Sequence, residues 1–177
     1  MKISVIAIFY NSSAYIKKCI QSILDQQDVF IELIAVDDCS TDDTLKLLQE
    51  YAIIDDRIKI IKHQKNRGIA AARNSGIKAA SGDCFYLIDG DDYLPNNALS
   101  SLAKHFSPEV DWVQGGYEIR NEKNLKIADH IYKYGKYTTH QEIENHFFDI
   151  ELVYTHNKLI NCKLKKWSTF SEGIIHE

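Results

Sequence analysis

The stretch FYLIDGDDYLP, residues 85–95, joins an apolar run to three aspartates around a single glycine. The run from Phe85 to Ile88 has the composition of a buried strand, and Asp89, Asp91 and Asp92 follow it directly. Carboxylates this close repel and raise one another's pKa, so the arrangement is costly unless a cation lies among them. The motif is therefore either a solvated turn or part of a site for a metal ion.

The residues before position 85 repeat the same order of apolar run, polar loop and helical segment. Near-continuous apolar runs rich in β-branched residues are typical of strands covered on both faces. The predicted strands are 3–9, 31–36, 57–63 and 84–89, and the predicted helices follow them, with Pro95 in the first turn of the fourth. This alternation predicts an α/β fold, a mostly parallel sheet with right-handed crossovers flanked by helices.

The pattern changes after about residue 110. The segment DWVQGGYEIR (111–120) predicts one further strand, and a helix is expected around 141–148, before HNKLINCKLKKW (156–167). Because no linker separates the two parts, we expect residues 1–109 to form one subdomain and 110–177 a smaller subregion packed on the same sheet.

Three polar clusters follow predicted strands: FYNSS (9–13), DDCST (37–41) and DGDD (89–92). Ligands of open parallel sheets lie outside the carboxyl ends of the strands, so the three clusters predict one site. Asp89 and Asp91 are candidate ligands of Mg²⁺ or Mn²⁺, since both ions accept carboxylates and phosphate oxygens together. Asp92 suits a helix cap equally well.

Each remaining candidate has a structural alternative. Asp37 and Asp38 can cap the next helix or accept hydrogen bonds from a nucleoside, and Tyr10 can be an interfacial residue or stack on a base. Arg67 and Arg73, in NRGIAAARNSG (66–76), can bind a diphosphate, or Arg73 can pair with one of the aspartates. Asn11 is expected to cap the first helix.

Composition limits the classes of function. The chain has 177 residues, of which 45% are apolar and 26% charged, and its net charge is −4. Nucleic acid is not expected as a partner because phosphate binding requires clustered Lys and Arg. Four scattered cysteines indicate a reducing compartment, and no apolar stretch approaches about 20 residues, the length that spans a bilayer. We therefore expect a cytoplasmic protein without a transmembrane segment, and peripheral membrane association stays open.

The motifs SVIAIFYN, IELIAVDDCSTDDT, NRGIAAARNSGIKAASGD and FYLIDGDDYLP resemble, in this order, the nucleotide-binding half of family 2 glycosyltransferases with the GT-A fold. The resemblance covers residues 3–106 well, and 156–177 resembles the start of the family's acceptor-side motif. Two positions depart from the family pattern. Ile8 stands where proline is common, and Cys39 replaces a glycine. If that glycine served a backbone with a positive φ, either Cys39 carries strain or the loop differs slightly.

The resemblance implies transfer of a sugar from a nucleoside-diphosphate donor, with UDP the expected nucleotide, to a saccharide or lipid-linked saccharide acceptor. It assigns the family's D-x-D to Asp89-Gly90-Asp91, with Asp91 on the metal and Asp89 near the ribose. Nucleotide-contacting roles are implied for seven further residues: Ile8, Tyr10, Asp37, Asp38, Arg67, Arg73 and Gly90.

The tail motif of inverting family members ends in Glu-Asp and supplies the catalytic base. The corresponding position is Glu177 or the residue that the family pattern places after it, and the acceptor-side subregion is expected to be incomplete at this end. We therefore expect a chain of 177 residues to bind donor but to transfer sugar poorly. The alternative is a nucleotide-sugar-binding fragment without catalysis. A haloacid dehalogenase-type phosphatase is disfavoured, because its D-x-D lies near the start of the chain.

Overall fold

The computed structural model describes residues 1–131, 138, 142, 157–166 and 170–172. The strands are β1 (Lys2–Phe9), β2 (Phe30–Asp37), β3 (Ile58–Lys62), β4 (Cys84–Asp89), β5 (Trp112–Gln114), β6 (Tyr117–Arg120), β7 (Lys126–His130) and β8 (Lys158–Asn161). The helices are α1 (Ile16–Leu24), α2 (Thr44–Ile54), α3 (Gly68–Ala79) and α4 (Ala98–Ala103), with a 3₁₀ turn at Cys162–Leu164. Within these residues, no helix has both the length and the apolar character to cross a bilayer.

The main sheet has six strands in the order β3-β2-β1-β4-β8-β5. The pairs β1–β2, β1–β4 and β2–β3 are parallel, whereas β8 runs antiparallel to both β4 and β5. The chain moves outward from β1 to β2 and β3, then returns to place β4 on the other side of β1. The crevice between β1 and β4 is therefore a topological switch point, where ligands bind in folds of this kind.

The central strands β1, β2 and β4 are mostly apolar because both faces of the sheet are covered. Ile3, Val5 and Phe9 lie in the core beneath α1, while Ile6 and Ile8 contribute to a second core on the opposite face. The helix α3 packs closely on that second face. A Cβ placed on Gly76 would lie 2.2 Å from Ile6 Cγ2, so glycine is what permits this approach.

The predicted α/β fold with a mostly parallel sheet is confirmed, and the prediction of one strand over 111–120 is wrong. Gly115 and Gly116 separate β5, which pairs with β8 in the main sheet, from β6, which pairs with β7 in a hairpin. A Cβ on Gly116 would lie 2.5 Å from the His130 carbonyl oxygen. The predicted helix at 141–148 lies outside the described residues, apart from the helical residue 142.

A buried carboxylate joins the strands at the end of the sheet opposite the switch-point crevice. The Glu32 side chain is 4% exposed and accepts hydrogen bonds from Ser4 Oγ at 2.7 Å and Lys59 Nζ at 2.8 Å, as well as from Lys2 and Ser81. Burial raises the pKa of Glu32, but these hydrogen bonds outweigh it and hold the pKa well below the usual range. Glu32 is therefore ionised in the folded protein and links β1, β2 and β3.

Replacing Glu32 with glutamine is expected to flatten the loss of stability in acid. The pKa of Glu32 is lower in the folded than in the unfolded chain, where it is about 4.3. Its contribution is therefore complete above about pH 5 and is lost as the pH falls toward the folded value. Urea unfolding between pH 7 and pH 3 measures this effect. Glu50→Gln, on the exposed side of α2, is the control and should retain the wild-type slope; a Glu32→Gln profile parallel to wild type would contradict the assignment.

Candidate functional site

A cleft of about 450 Å³ opens at the carboxyl ends of β1, β2 and β4. All three polar clusters from the sequence contribute to its surroundings, as the switch-point topology requires. The residues that line it are Ile8, Tyr10, Asn11, Ser12, Tyr15, Asp38, Asn66, Gly68, Ile69, Asp89, Gly90 and Asp91. Of the sequence candidates, Asp37, Arg67 and Arg73 are not among these lining residues.

The loops after β1 and β2 are joined by side-chain hydrogen bonds. Asn11 Oδ1 accepts from the Thr41 backbone N–H at 2.8 Å, and Asp42 accepts from the backbone N–H groups of Ser13 and Thr44. Partial burial raises the pKa of Asp42, but the hydrogen bonds from Thr44 and Ser13 prevail and lower it to about 2. The expectation that Asn11 caps the first helix is wrong, since α1 begins at Ile16 and Asn11 instead links the two loops.

The loop after β2 contains a residue in the left-handed region of backbone space. Cys39 has a φ of 64°, a conformation that costs a residue with a Cβ about 1–2 kcal/mol and glycine almost nothing. The expectation that Cys39 is strained if this position has a positive φ is thus met. The strain lies next to Asp38, on the wall of the cleft.

Cys39→Gly is expected to stabilise the folded chain by about 1 kcal/mol, because glycine removes the steric penalty at positive φ while adding some entropy to the unfolded state. For a chain of this length the melting temperature should rise by roughly 2–4 °C. Cys39→Ala is the matched control, since it removes the sulfur and keeps the Cβ. Equal melting temperatures for the two variants would show that the backbone at this position is relaxed.

The carboxylate of Asp38 is buried and engaged on both oxygens. It accepts hydrogen bonds from the backbone N–H groups of Arg67 at 3.0 Å and Gly68 at 2.7 Å, at the start of α3. His63 Nδ1 lies 2.6 Å from Asp38 Oδ1, and His63 Nε2 lies 2.9 Å from Ser75 Oγ. Asp38 therefore fixes the helix N-terminus, where a negative charge is favourable, and forms part of the cleft wall.

Asp37 is completely buried and does not reach the cleft. Its carboxylate accepts from the Ser40 backbone N–H at 3.3 Å and 3.4 Å, which shapes the turn that carries Cys39. The structure thus separates the two adjacent aspartates: Asp38 borders the cleft, while Asp37 supports the loop behind it. Tyr10 is 49% exposed at the rim, where its ring can meet a flat ligand.

Asp89, the last residue of β4, forms an ion pair with Arg73 of α3. Arg73 Nη2 lies 3.0 Å and 3.2 Å from the two carboxylate oxygens. The structural pairing that the sequence left open for Arg73 is therefore present. Ile8 is the register partner of Asp89 across the parallel β1–β4 pair, so that the two residues border the same part of the cleft.

Gly90 brings the following turn close to β1. A Cβ at this position would lie 2.4 Å from the Phe9 ring and 2.7 Å from the Ile8 carbonyl oxygen. Any larger residue would displace the turn and, with it, the neighbouring aspartates. Glycine between Asp89 and Asp91 is thus a requirement of packing.

The carboxylates at this turn fit a metal ion that also binds a ligand. Asp91 is exposed, and its carboxylate has no hydrogen bond or ion pair within the part of the chain that the structure describes. Across the same residues no three His, Cys, Asp or Glu side chains converge as a complete set of ligands. Mg²⁺ is commonly held by one or two carboxylates together with substrate phosphates, and Asp91 with Asp89 matches that smaller set of donors.

The carboxyl of Asp92 has a raised pKa. Burial of the carboxyl, followed by the charges of Asp91 and Asp89, raises its pKa to about 6. Asp92 as a whole residue is exposed. Its charge also acts on the nearby Cys19 thiol: burial first, and then Asp92, raise the pKa of Cys19 to about 12. Asp92 does not cap a helix, because α4 begins only at Ala98.

The side chain of Arg67 does not line the cleft and binds the C-terminal part of the chain. Its Nη2 donates to Glu172 Oε2 at 2.9 Å. Sequence reasoning missed Glu172 as well as His63 and Asn74, because no local spacing signals a contact formed between distant elements. Glu177, the predicted catalytic base, lies outside the described residues.

Comparison with known proteins identifies the family. The sequence model of glycosyl transferase family 2 matches residues 4–165. The chain is 35% identical over 131 residues to the glycosyltransferase GlyA of Streptococcus pneumoniae, a match that covers 73% of this chain and 19% of GlyA. It is 37% identical over 101 residues to the chondroitin synthase of Escherichia coli, covering 57% of this chain and 15% of the synthase.

The fold agrees with a solved structure. S. aureus TarS 1–349, in complex with UDP-GlcNAc, superposes with a TM-score of 0.76 at 26% identity, over 98% of this chain and 50% of the TarS chain. The chain thus spans half or less of the length of each of these relatives. The family match, the sequence identities and the shared fold lead to one conclusion: this chain belongs to glycosyltransferase family 2.

Proposed function

We propose that this chain is the donor-binding part of a metal-dependent glycosyltransferase that moves a sugar from UDP to an acceptor hydroxyl in polysaccharide or glycoconjugate synthesis. The observation that carries the proposal is the pair Asp89 and Asp91 at the switch-point cleft, with Tyr10 and Asp38 on the same cleft. Support for UDP comes from TarS, a related protein solved with UDP-GlcNAc. Support for polysaccharide synthesis comes from the similarity to chondroitin synthase.

The nucleoside would lie between the loops after β1 and β2. Tyr10 is exposed at the rim and would stack on the base, while Asp38 would contact the base at the buried end of the cleft. Because Asp38 already accepts three backbone and imidazole contacts, its role includes holding the N-terminal turn of α3 against the nucleoside. Asp37 would affect nucleoside binding indirectly, by shaping the turn at Ser40 behind the cleft wall.

The diphosphate would lie beside β4. When bound at Asp91, Mn²⁺ or Mg²⁺ stabilises the negative charge that develops on the leaving nucleoside diphosphate. Asp89, oriented by Arg73, would contact the ribose and complete the donor site. Gly90 keeps both carboxylates at the cleft by allowing the turn to approach Phe9.

Transfer would proceed with inversion, which requires a carboxylate to deprotonate the attacking hydroxyl from within hydrogen-bond reach. Glu177 or the position after it would supply this base. The acceptor would be a saccharide or a lipid-linked saccharide bound by the part of the protein formed by residues 110–177 and any that follow them.

The test measures binding and turnover separately. Isothermal titration with UDP, with and without Mn²⁺, should show metal-dependent binding, and incubation with UDP-sugars should show transfer or slow donor hydrolysis. Binding without any turnover would favour the alternative, a nucleotide-sugar-binding fragment. Failure to bind UDP, GDP or another nucleoside diphosphate in the presence of Mn²⁺ would overturn the proposal.

A further inference from the structure

Residues 170–172, in the C-terminal part of the chain, bind to α3. Asn74 Oδ1 accepts from the Phe170 backbone N–H at 2.8 Å, and Asn74 Nδ2 donates to the Phe170 carbonyl oxygen at 2.9 Å. One side-chain amide thus satisfies both backbone groups of Phe170, as a neighbouring strand would. This pairing fixes the backbone of Phe170 on the surface of α3.

Glu172 adds a second attachment. Its Oε1 accepts from Asn74 Nδ2 at 3.0 Å and its Oε2 from Arg67 Nη2 at 2.9 Å. These hydrogen bonds, first that from Asn74 and then that from Arg67, hold the pKa of Glu172 below its usual range. We call the four residues Arg67, Asn74, Phe170 and Glu172 the clasp.

The clasp covers Arg73, the cation of the ion pair at the end of β4. The Phe170 ring centroid lies 5.5 Å from Arg73 Cζ, and the side chain of Arg73 is only 16% exposed. Arg73 Nε is buried and has no hydrogen-bond partner among the described residues, whereas Nη2 binds Asp89. An aromatic ring over a guanidinium excludes water and strengthens the attraction between the cation and a nearby carboxylate.

The start and the body of α3 carry contacts to two of the three cleft carboxylates, Asp38 and Asp89. The backbone N–H of Arg67 binds Asp38, and the side chain of Arg73 binds Asp89. The helix α3 therefore supports the orientation of both of these carboxylates. Asn74, which adjoins Arg73, is the point at which residues 170–172 hold the helix.

We propose that the clasp is a positioning element of the donor site. By keeping Phe170 over Arg73, it fixes the orientation of the Asp89 carboxylate, so that donor affinity depends on residues 170–172, far outside the predicted donor-binding segment 1–109. This inference rests on the proposed function, since it concerns the affinity for the same nucleoside diphosphate. Its residues touch no donor atom; they act through Arg73 and Asp89.

The test compares Phe170→Ala and Asn74→Ala with the wild-type chain by titration with UDP in Mn²⁺ and with UMP in the absence of metal. Loss of a side chain that holds a metal ligand in place, without touching the metal itself, typically weakens metal binding about 10–100-fold. We expect a weakening of about 10-fold for UDP with Mn²⁺ and a clearly smaller one for UMP, which lacks the metal-bound diphosphate and would meet Asp89 only through its ribose. Phe170→Tyr retains the ring and should bind UDP as wild type does. Glu172→Ala should weaken UDP binding in the same direction. Its matched control is Glu118→Ala, which should not, because Glu118 is 43% exposed and ion-paired to Arg120, comparable to Glu172 at 44%.

A second measurement needs no ligand. Because Arg73 Nε is buried beneath Phe170, its proton should exchange slowly with water in NMR spectra of the unliganded chain, and Phe170→Ala should make that exchange at least about 10-fold faster. Unchanged UDP affinity in both alanine variants, or equal losses for UDP and UMP together with a lowered melting temperature, would overturn the inference. If the wild-type chain binds no UDP, the proposed function fails, while the exchange rate still decides whether Phe170 shields Arg73.

Discussion

Asp91→Ala is expected to abolish Mn²⁺-dependent binding of UDP while leaving the fold intact. Asp91 is exposed and has no hydrogen bond within the described residues, so its removal takes nothing from the core. Loss of a group that only orients a metal ligand typically lowers metal affinity about 10–100-fold. Loss of a residue that binds the metal directly should therefore lower it at least about 100-fold. Titration with UDP at a fixed Mn²⁺ concentration measures the effect, and the melting temperature without ligand verifies the fold.

The control for this experiment is Asp56→Ala, which changes the net charge equally at an exposed position outside the cleft. It should bind UDP as wild type does. Residual Mn²⁺-dependent binding in Asp91→Ala, at the wild-type affinity, would remove Asp91 from the metal site and leave Asp89 as the remaining candidate in the turn.

Asp38→Ala is expected to lower both the stability of the chain and its affinity for the nucleoside. The substitution leaves the Arg67 backbone N–H and His63 Nδ1 without their acceptor, while the Gly68 N–H keeps Asn66 Oδ1 at 3.0 Å. An unsatisfied buried group costs about 1–3 kcal/mol, so a total loss of about 3 kcal/mol is expected, or roughly 6–12 °C in melting temperature. UMP binding without metal should weaken as well, because the N-terminal turn of α3 loses its anchor.

Asp43→Ala is the matched control for Asp38, since Asp43 lies in the same loop, is exposed and makes no capping hydrogen bond. Its effect on stability should be within about 0.5 kcal/mol. If Asp38→Ala retains wild-type UMP affinity despite its lower melting temperature, Asp38 supports the fold alone and the base-contacting role belongs to another residue.

Sequence predicted those parts of the fold that depend on local pattern. The uninterrupted apolar runs at β1, β2 and β4 indicated strands covered on both faces, and the spacing of Ile16, Cys19 and Ile23 gave the first helix. The order of these elements also predicted that the D-x-D turn would lie at the carboxyl ends of the strands, next to the other polar clusters. Such features are specified by residues close together in the chain, so pattern alone is sufficient to find them.

Most of the contacts that sequence did not reveal join elements far apart in the chain. Glu32 looked like one polar residue in an apolar strand, yet Lys2, Lys59 and Ser81 surround it in the folded chain. His63 carried no metal-ligand spacing and instead holds Asp38. Side chains of this kind acquire their partners only when the sheet has formed, and local periodicity holds no information about them.

The position of β8 has a consequence for synthesis of the chain on the ribosome. β4 pairs with β1 on one side and with β8 on the other, and Phe85 and Tyr86 face Ile160 and Leu159 across that second pairing. Until residue 161 has been translated and has left the exit tunnel, β4 is an edge strand with apolar side chains and open backbone groups, which favours association between nascent chains. The strand that ends in the D-x-D motif is thus a site at which the growing polypeptide is exposed to association until β8 has paired with it.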